Sequence, residues 1–205
     1  MKSEEASMTG SFMSVRELTM AGLLAAITIF LGITGYGFIP LVFMKATILH
    51  VPTIIGAIVA GPKVGVVVGL LFGLFSFSQS IQAPSVMMQF IVEYNVFYDA
   101  VICIIPRMLI GLSAYFVYSG LKAGDMVRTF AAAVAGALTN TVLFLGSVFI
   151  LVGAPYAEAQ GLSVTDVAYL LGGITVMNGI PEALVSAVII VPVVMAMGRA
   201  GLHKK

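Results

Sequence analysis

Six apolar runs follow one another along this chain, each closed by glycine, proline or a charged residue. About 20 apolar residues cross a bilayer as a helix, and in lipid only helices or closed barrels satisfy their own backbone hydrogen bonds. With 60% of its residues hydrophobic and 9% charged, the chain has too few polar side chains to coat a water-soluble surface. Its solvent is therefore lipid. The expected fold is all-α, an integral membrane bundle of six transmembrane helices filling residues 15–198. A flexible cytoplasmic segment, residues 1–14, precedes it and a basic cytoplasmic tail, residues 199–205, follows. The opening MKSEEASMTG lacks the apolar stretch and cleavage site of a secretory signal, so retention of the N-terminus is expected.

Turn chemistry sets the boundaries. The first helix is predicted from Val15 to Ile33, stopped by the loop Gly35–Pro40, and a short second one from Ile48 to Ala60. Gly61-Pro62-Lys63 turns the chain into a third, Val64 to Ser78. The polar and aromatic stretch Gln79–Asp99 is predicted as a loop with a partial helix. The fourth, fifth and sixth helices are predicted over Ala100–Tyr118, Val127–Val152 and Ile174–Met197. With both termini cytoplasmic, the inner side collects Lys2, Arg16, Lys63, Lys122, Arg128, Arg199, Lys204 and Lys205, and the outer loops hold Lys45 as their basic residue. Glu93, Asp99, Glu158 and Asp166 fall in outer loops on that assignment.

Several chemistries are excluded or disfavoured. No G-x-x-x-x-G-K-[ST] loop is present to cradle a nucleotide, and no H-E-x-x-H accompanies the two histidines, His50 and His203. Lysine is absent from the predicted helix interiors, which argues against a serine–lysine hydrolase. Neither an enzyme, a metal site nor a cofactor is expected. A net charge of +1 offers no basic face for nucleic acid. Cys103, the single cysteine, is assigned to packing.

Two kinds of pattern stand out within the apolar runs. Small residues recur at i, i+4 in Ala21/Ala25, Gly22/Ala26 and Gly65/Gly69/Gly73, spacings that let another helix approach closely. Arg107 and Glu182 lie deep inside their helices, where a charge costs several kcal/mol, of order 3 by insertion scales, and so requires a partner or a function. Asn140 is near the middle of the fifth helix, and Asn178 precedes Glu182 by one turn, so the four can converge. One outcome is an Arg107–Glu182 salt bridge that staples helices; the other is a polar solute site, since a buried guanidinium presents a fork suited to a carboxylate or phosphate. Pro106 and Pro181 each free a carbonyl one turn back, near Ile102 and Met177, and freed carbonyls are tolerated where they line a cavity. Tyr36 and Phe38, then Tyr94, Asn95, Phe97 and Tyr98, are candidates either for interfacial anchoring or for stacking on a ligand. Lys45 is a candidate for steering an anion or an ordinary snorkelling lysine. His50 is expected to cap a helix end or bond at the interface.

Several blocks resemble, in order, the substrate-binding S components of energy-coupling factor (ECF) vitamin transporters: HVPTIIGA from His50, GPKVG from Gly61, GLLFGLFS from Gly69, PRMLIG from Pro106, LTNT from Leu138 and NGIPEA from Asn178. The resemblance implies a six-helix bundle in a prokaryotic plasma membrane that captures a vitamin or precursor from outside. It also implies association with a transmembrane coupling subunit and two ATPase subunits, with Ala21 and Ala25 docking the coupling subunit. The blocks are most similar to members associated with pantothenate or hydroxymethylpyrimidine, and one buried arginine favours the pantothenate carboxylate; folate, biotin and riboflavin remain open. An autonomous secondary carrier or channel is the alternative, and a purely structural membrane subunit a third.

Overall fold

The computed structural model describes residues 13–40 and 45–202, without the side chains of residues 38–40, 45 and 46. Within them the chain forms α1 (Val15–Thr34), β1 (Phe38–Pro40), β2 (Lys45–Thr47), α2 (Val51–Ala60), α3 (Pro62–Gln82), α4 (Val86–Tyr94), α5 (Val96–Gly120), α6 (Asp125–Gln160) and α7 (Val164–Arg199). Five of these helices, α1, α3, α5, α6 and α7, are long and apolar enough to cross a membrane. The protein is a multi-pass membrane protein.

Local chemistry explains the ends. Ser14 and Glu17 form a reciprocal capping box at the start of α1, which closes on Gly35 in the left-handed region. Ser163 and Asp166 do the same for α7, one turn after α6 has closed on left-handed Gly161. These signals extend α6 and α7 well beyond the predicted Val152 and Ile174 boundaries. Pro155 sits inside α6, three residues past the predicted end. The added turns are held by burial, because Val152, Ala157, Val167 and Leu171 pack with Ile91 and Ile102 in one apolar cluster. At 36 residues each, α6 and α7 are about 54 Å long, against a hydrocarbon core of about 30 Å. The predicted Gln79–Asp99 loop is likewise shorter, since α3 runs to Gln82, α4 fills Val86–Tyr94 and α5 starts at Val96. Asp99 is therefore not in an outer loop: it is a fully buried residue of α5.

The ten residues of α2 are all buried, packed by α1, α3, α5, α6 and α7. A helix apolar on every side belongs in a core, and at about 15 Å α2 is half the length of a crossing. The loop expected at Gly35–Pro40 contains β1, which pairs antiparallel with β2, Phe38 opposite Thr47 and Pro40 opposite Lys45.

The glycine row of α3 is an internal seam. A methyl group on Gly73 would come within 2.8 Å of the Ile104 Cα, one on Gly65 would press on Gly111, and one on Gly69 would collide with the Arg107 carbonyl. Backbone therefore lies on backbone between α3 and α5, where lipid supplies no hydrophobic force and close packing must hold the helices together.

Candidate functional site

Arg107 stands twelve residues into α5, about 17 Å along the helix from its first residue. Its side chain is buried. Pro106 has no N–H to give to Ile102, and the carbonyl so freed accepts a 3.0 Å hydrogen bond from Arg107 Nη1. The guanidinium carbon lies 4.3 Å from the Phe144 ring centre on α6 and 5.7 Å from that of Phe72 on α3, so two aromatic faces stabilise the cation. Arg107 Nε is buried with no hydrogen-bond partner.

No salt bridge joins Arg107 to Glu182. The Glu182 carboxylate is occupied elsewhere: Oε1 accepts from the Thr47 backbone N–H at 2.9 Å, and Oε2 from the Thr141 hydroxyl at 3.3 Å. It thus ties the β1–β2 ribbon and α6 to α7. Asn140, one turn before Phe144, is buried with its Oδ1 unpartnered. Asn178 is half-buried on α7, one turn before Glu182.

The remaining candidates separate. Asn95 caps α5, its Oδ1 accepting from the Phe97 and Tyr98 amides at 2.9 and 3.3 Å. Tyr94 is exposed and stacks on Phe90, whose ring meets Tyr156 edge-on; Tyr98 is half-buried beside Tyr94. Tyr36 is exposed in the turn before β1. The Lys45 backbone belongs to β2, and its side chain, like that of Phe38, lies outside the described residues. So do Lys2, His203, Lys204 and Lys205.

Ala21 and Ala25 require a correction. They are 1% and 4% exposed, because α1 turns this row inward with Leu24 against α2 and α3. The neighbouring row, Gly22 and Ala26, is the one that faces outward, with open space beside Gly22. His50 is also not an interfacial cap. It occupies the position before α2 without capping it, is fully buried, and its Nε2 lies 2.7 Å from Ser186 Oγ.

Sequence reasoning missed several members of this polar interior. Fully buried Asp99 accepts a 2.6 Å hydrogen bond from Ser80 and lies 3.4 Å from the Cys103 sulfur. His50 Nδ1 and Thr53 Oγ1 are buried without partners. The Glu182–Ser186 and Asn140–Phe144 spacings of four residues were available signals; the rest depend on contacts distant in sequence. An unpartnered buried polar atom costs roughly 1–3 kcal/mol, and Arg107, Asn140, His50 and Thr53 each carry one. Arg107 Nε is an unused donor and Asn140 Oδ1 an unused acceptor, the two kinds of group a small polar solute needs.

The family model described as "ECF transporter, substrate-specific component" matches residues 16–194. The Pantothenic acid transporter PanT of Lactococcus lactis subsp. cremoris (strain MG1363) is 36% identical over 122 residues, 54% of this chain and 60% of PanT, so the match spans less than two thirds of that relative. With the family model covering most of the chain, the protein belongs to the substrate-specific components of ECF transporters, which are substrate-binding subunits rather than enzymes.

Proposed function

We propose that this chain is the high-affinity binding subunit of an ECF-type importer for a small carboxylate-bearing vitamin, pantothenate. The observation that carries the proposal is Arg107, a buried cation held between Phe72 and Phe144, not salt-bridged to Glu182 and with Nε left over. The similarity to PanT supports the choice of vitamin. In this reading Arg107 takes the carboxylate, Asn140 accepts from an amide or hydroxyl, and Asn178 adds a polar contact. Glu182 anchors the β1–β2 ribbon as a cover through Thr47. The tyrosines Tyr94, Tyr98 and Tyr36 are the residues we assign to the rim by which the solute enters, with Asn95 fixing the start of α5 beside Tyr94.

Energy comes from a transmembrane coupling subunit and two ATPases. Docking falls to the outward face of α1, where Gly22 and Ala26 adjoin exposed Leu18, Leu23, Ile27 and Phe30. Calorimetry on the purified chain should show saturable pantothenate binding, and liposomes carrying the partners should take pantothenate up with ATP. Gly22→Trp with Ala26→Trp should leave binding intact and reduce uptake, because bulk blocks close helix approach. Ion-driven uptake by the chain alone, insensitive to these substitutions, would favour a secondary carrier.

The topology proposed is six spans, with α2 counted as the short central one and both termini cytoplasmic. Arg16 donates to the Leu202 carbonyl, a contact that holds the two ends of the bundle together on one side. In a Cys103→Ala background, Ser163→Cys should label with an impermeant thiol reagent from outside and Ala123→Cys from inside. Labelling of both from the same face would sink the six-span arrangement.

A further inference from the structure

At the end of the bundle where α5 stops and α6 starts, a pocket of about 390 Å³ opens between Tyr118, Asp125, Arg128, Met195 and Arg199. It takes no part in the solute site. Three observations give it an anion-binding character. Arg128 lies 4.2 Å over the Tyr118 ring, and its Nη2 both donates to the Tyr118 hydroxyl at 2.9 Å and pairs with Asp125 at 3.0 Å, so that pair is neutral as a whole and Arg199 gives the lining its net positive charge. Arg128 Nε is buried with no partner, and Arg199 adds an exposed guanidinium beside it. The 36-residue α6 begins here at Gly124 without any side-chain cap; the Gly124 carbonyl takes the Val127 and Arg128 amides, which leaves those of Asp125 and Met126 and the positive end of the helix dipole at this end of the bundle.

A second cavity lies on the same two helices. A groove of about 410 Å³ runs between Met126, Val127 and Phe130 of α6 and Val188, Val191 and Pro192 of α7, and its lining is almost wholly apolar. Val188, Pro192, Met195 and Arg199 follow one another at spacings of four, three and four residues, so a single face of α7 leads from the groove into the charged pocket. A polar head of two arginines and a helix N-terminus, continued by an apolar trough along a membrane helix, matches the two halves of a phospholipid.

We propose that this end of the bundle holds one anionic membrane phospholipid, its phosphate between Arg128 and Arg199 and an acyl chain in the α6–α7 groove. The site is independent of which vitamin the protein binds. Basic pockets between membrane helices recognise anionic headgroups through charge, and each arginine near the surface contributes about 1 kcal/mol. A lipid seated here bridges α5, α6 and α7 at one membrane face, and bound lipid stabilises the folded chain in proportion to its occupancy.

The test uses the purified full chain in detergent, titrated with micelles containing phosphatidylglycerol or phosphatidylcholine, and separately with inorganic phosphate. Native mass spectrometry should show one phosphatidylglycerol retained in preference to phosphatidylcholine, with a matching rise in thermal midpoint. Arg199→Gln, at an exposed position that tolerates the change, should weaken retention about five-fold. Val188→Trp, which fills the groove from an exposed position, should reduce retention of long-chain phosphatidylglycerol and leave a short-chain analogue bound. Equal retention of the two lipids, equal protection by inorganic phosphate, or wild-type retention in both variants would overturn the proposal.

Discussion

Arg107→Gln is expected to weaken pantothenate binding by about 2 kcal/mol, roughly thirty-fold, the size of a lost charge-assisted contact in a desolvated site. Glutamine is shorter: its amide nitrogen falls about where Nε stands, two bonds short of the Nη1 that reaches the Ile102 carbonyl, so that bond is not reproduced. Also lost is the cation between Phe72 and Phe144. Arg107→Lys should fall between the two, since it restores charge without a planar fork. Calorimetry gives the affinity and a thermal melt of the unliganded chain gives the stability. An unchanged affinity with a lowered melting point would make Arg107 a structural cation that only satisfies Ile102, and the carboxylate would then need another anchor.

Gly69→Val is expected to be the most disruptive single substitution in the bundle, lowering stability by about 3 kcal/mol or more, at the upper end of overpacking costs. The added side chain would drive into the Arg107 carbonyl, and the obstacle is main chain rather than a side chain that can rotate away. Because the same contact sets where α5 carries Arg107, the variant should lose ligand affinity as well. Gly22→Val is the matched control, with nothing within 4 Å of the added Cβ. A melting point that falls equally for both would mean that valine disturbs these helices through propensity alone, and that the α3–α5 seam is looser than its backbone contacts imply.

Much of this protein follows from its sequence alone. Runs of apolar residues broken by Gly35, Gly61-Pro62 and Gly161 impose helices in lipid, because the backbone has no other way to bond there. Arg107 and Glu182 announced themselves as buried ionisable groups for the same reason, and ordered blocks such as PRMLIG and NGIPEA were enough to identify the family. Pro106 even specified that the Ile102 carbonyl would be free. What took that carbonyl was decided by tertiary structure, as were the aromatic faces of Phe72 and Phe144, 35 residues before and 37 after Arg107. Spacing likewise showed two small-residue rows on α1 without saying which one faces inward; packing on α2 and α3 buries Ala21 and Ala25 and leaves Gly22 and Ala26 outside. Glu182 was expected to meet Arg107 or a ligand, yet it bonds a backbone amide 135 residues away on β2. Asp99 moved from a supposed loop into the core because its carboxylate meets Ser80 at the end of α3. Periodicity reports what a helix face is made of, whereas a buried polar group is satisfied by whichever donor or acceptor the fold carries to within about 3 Å, and only the assembled bundle determines which one that is.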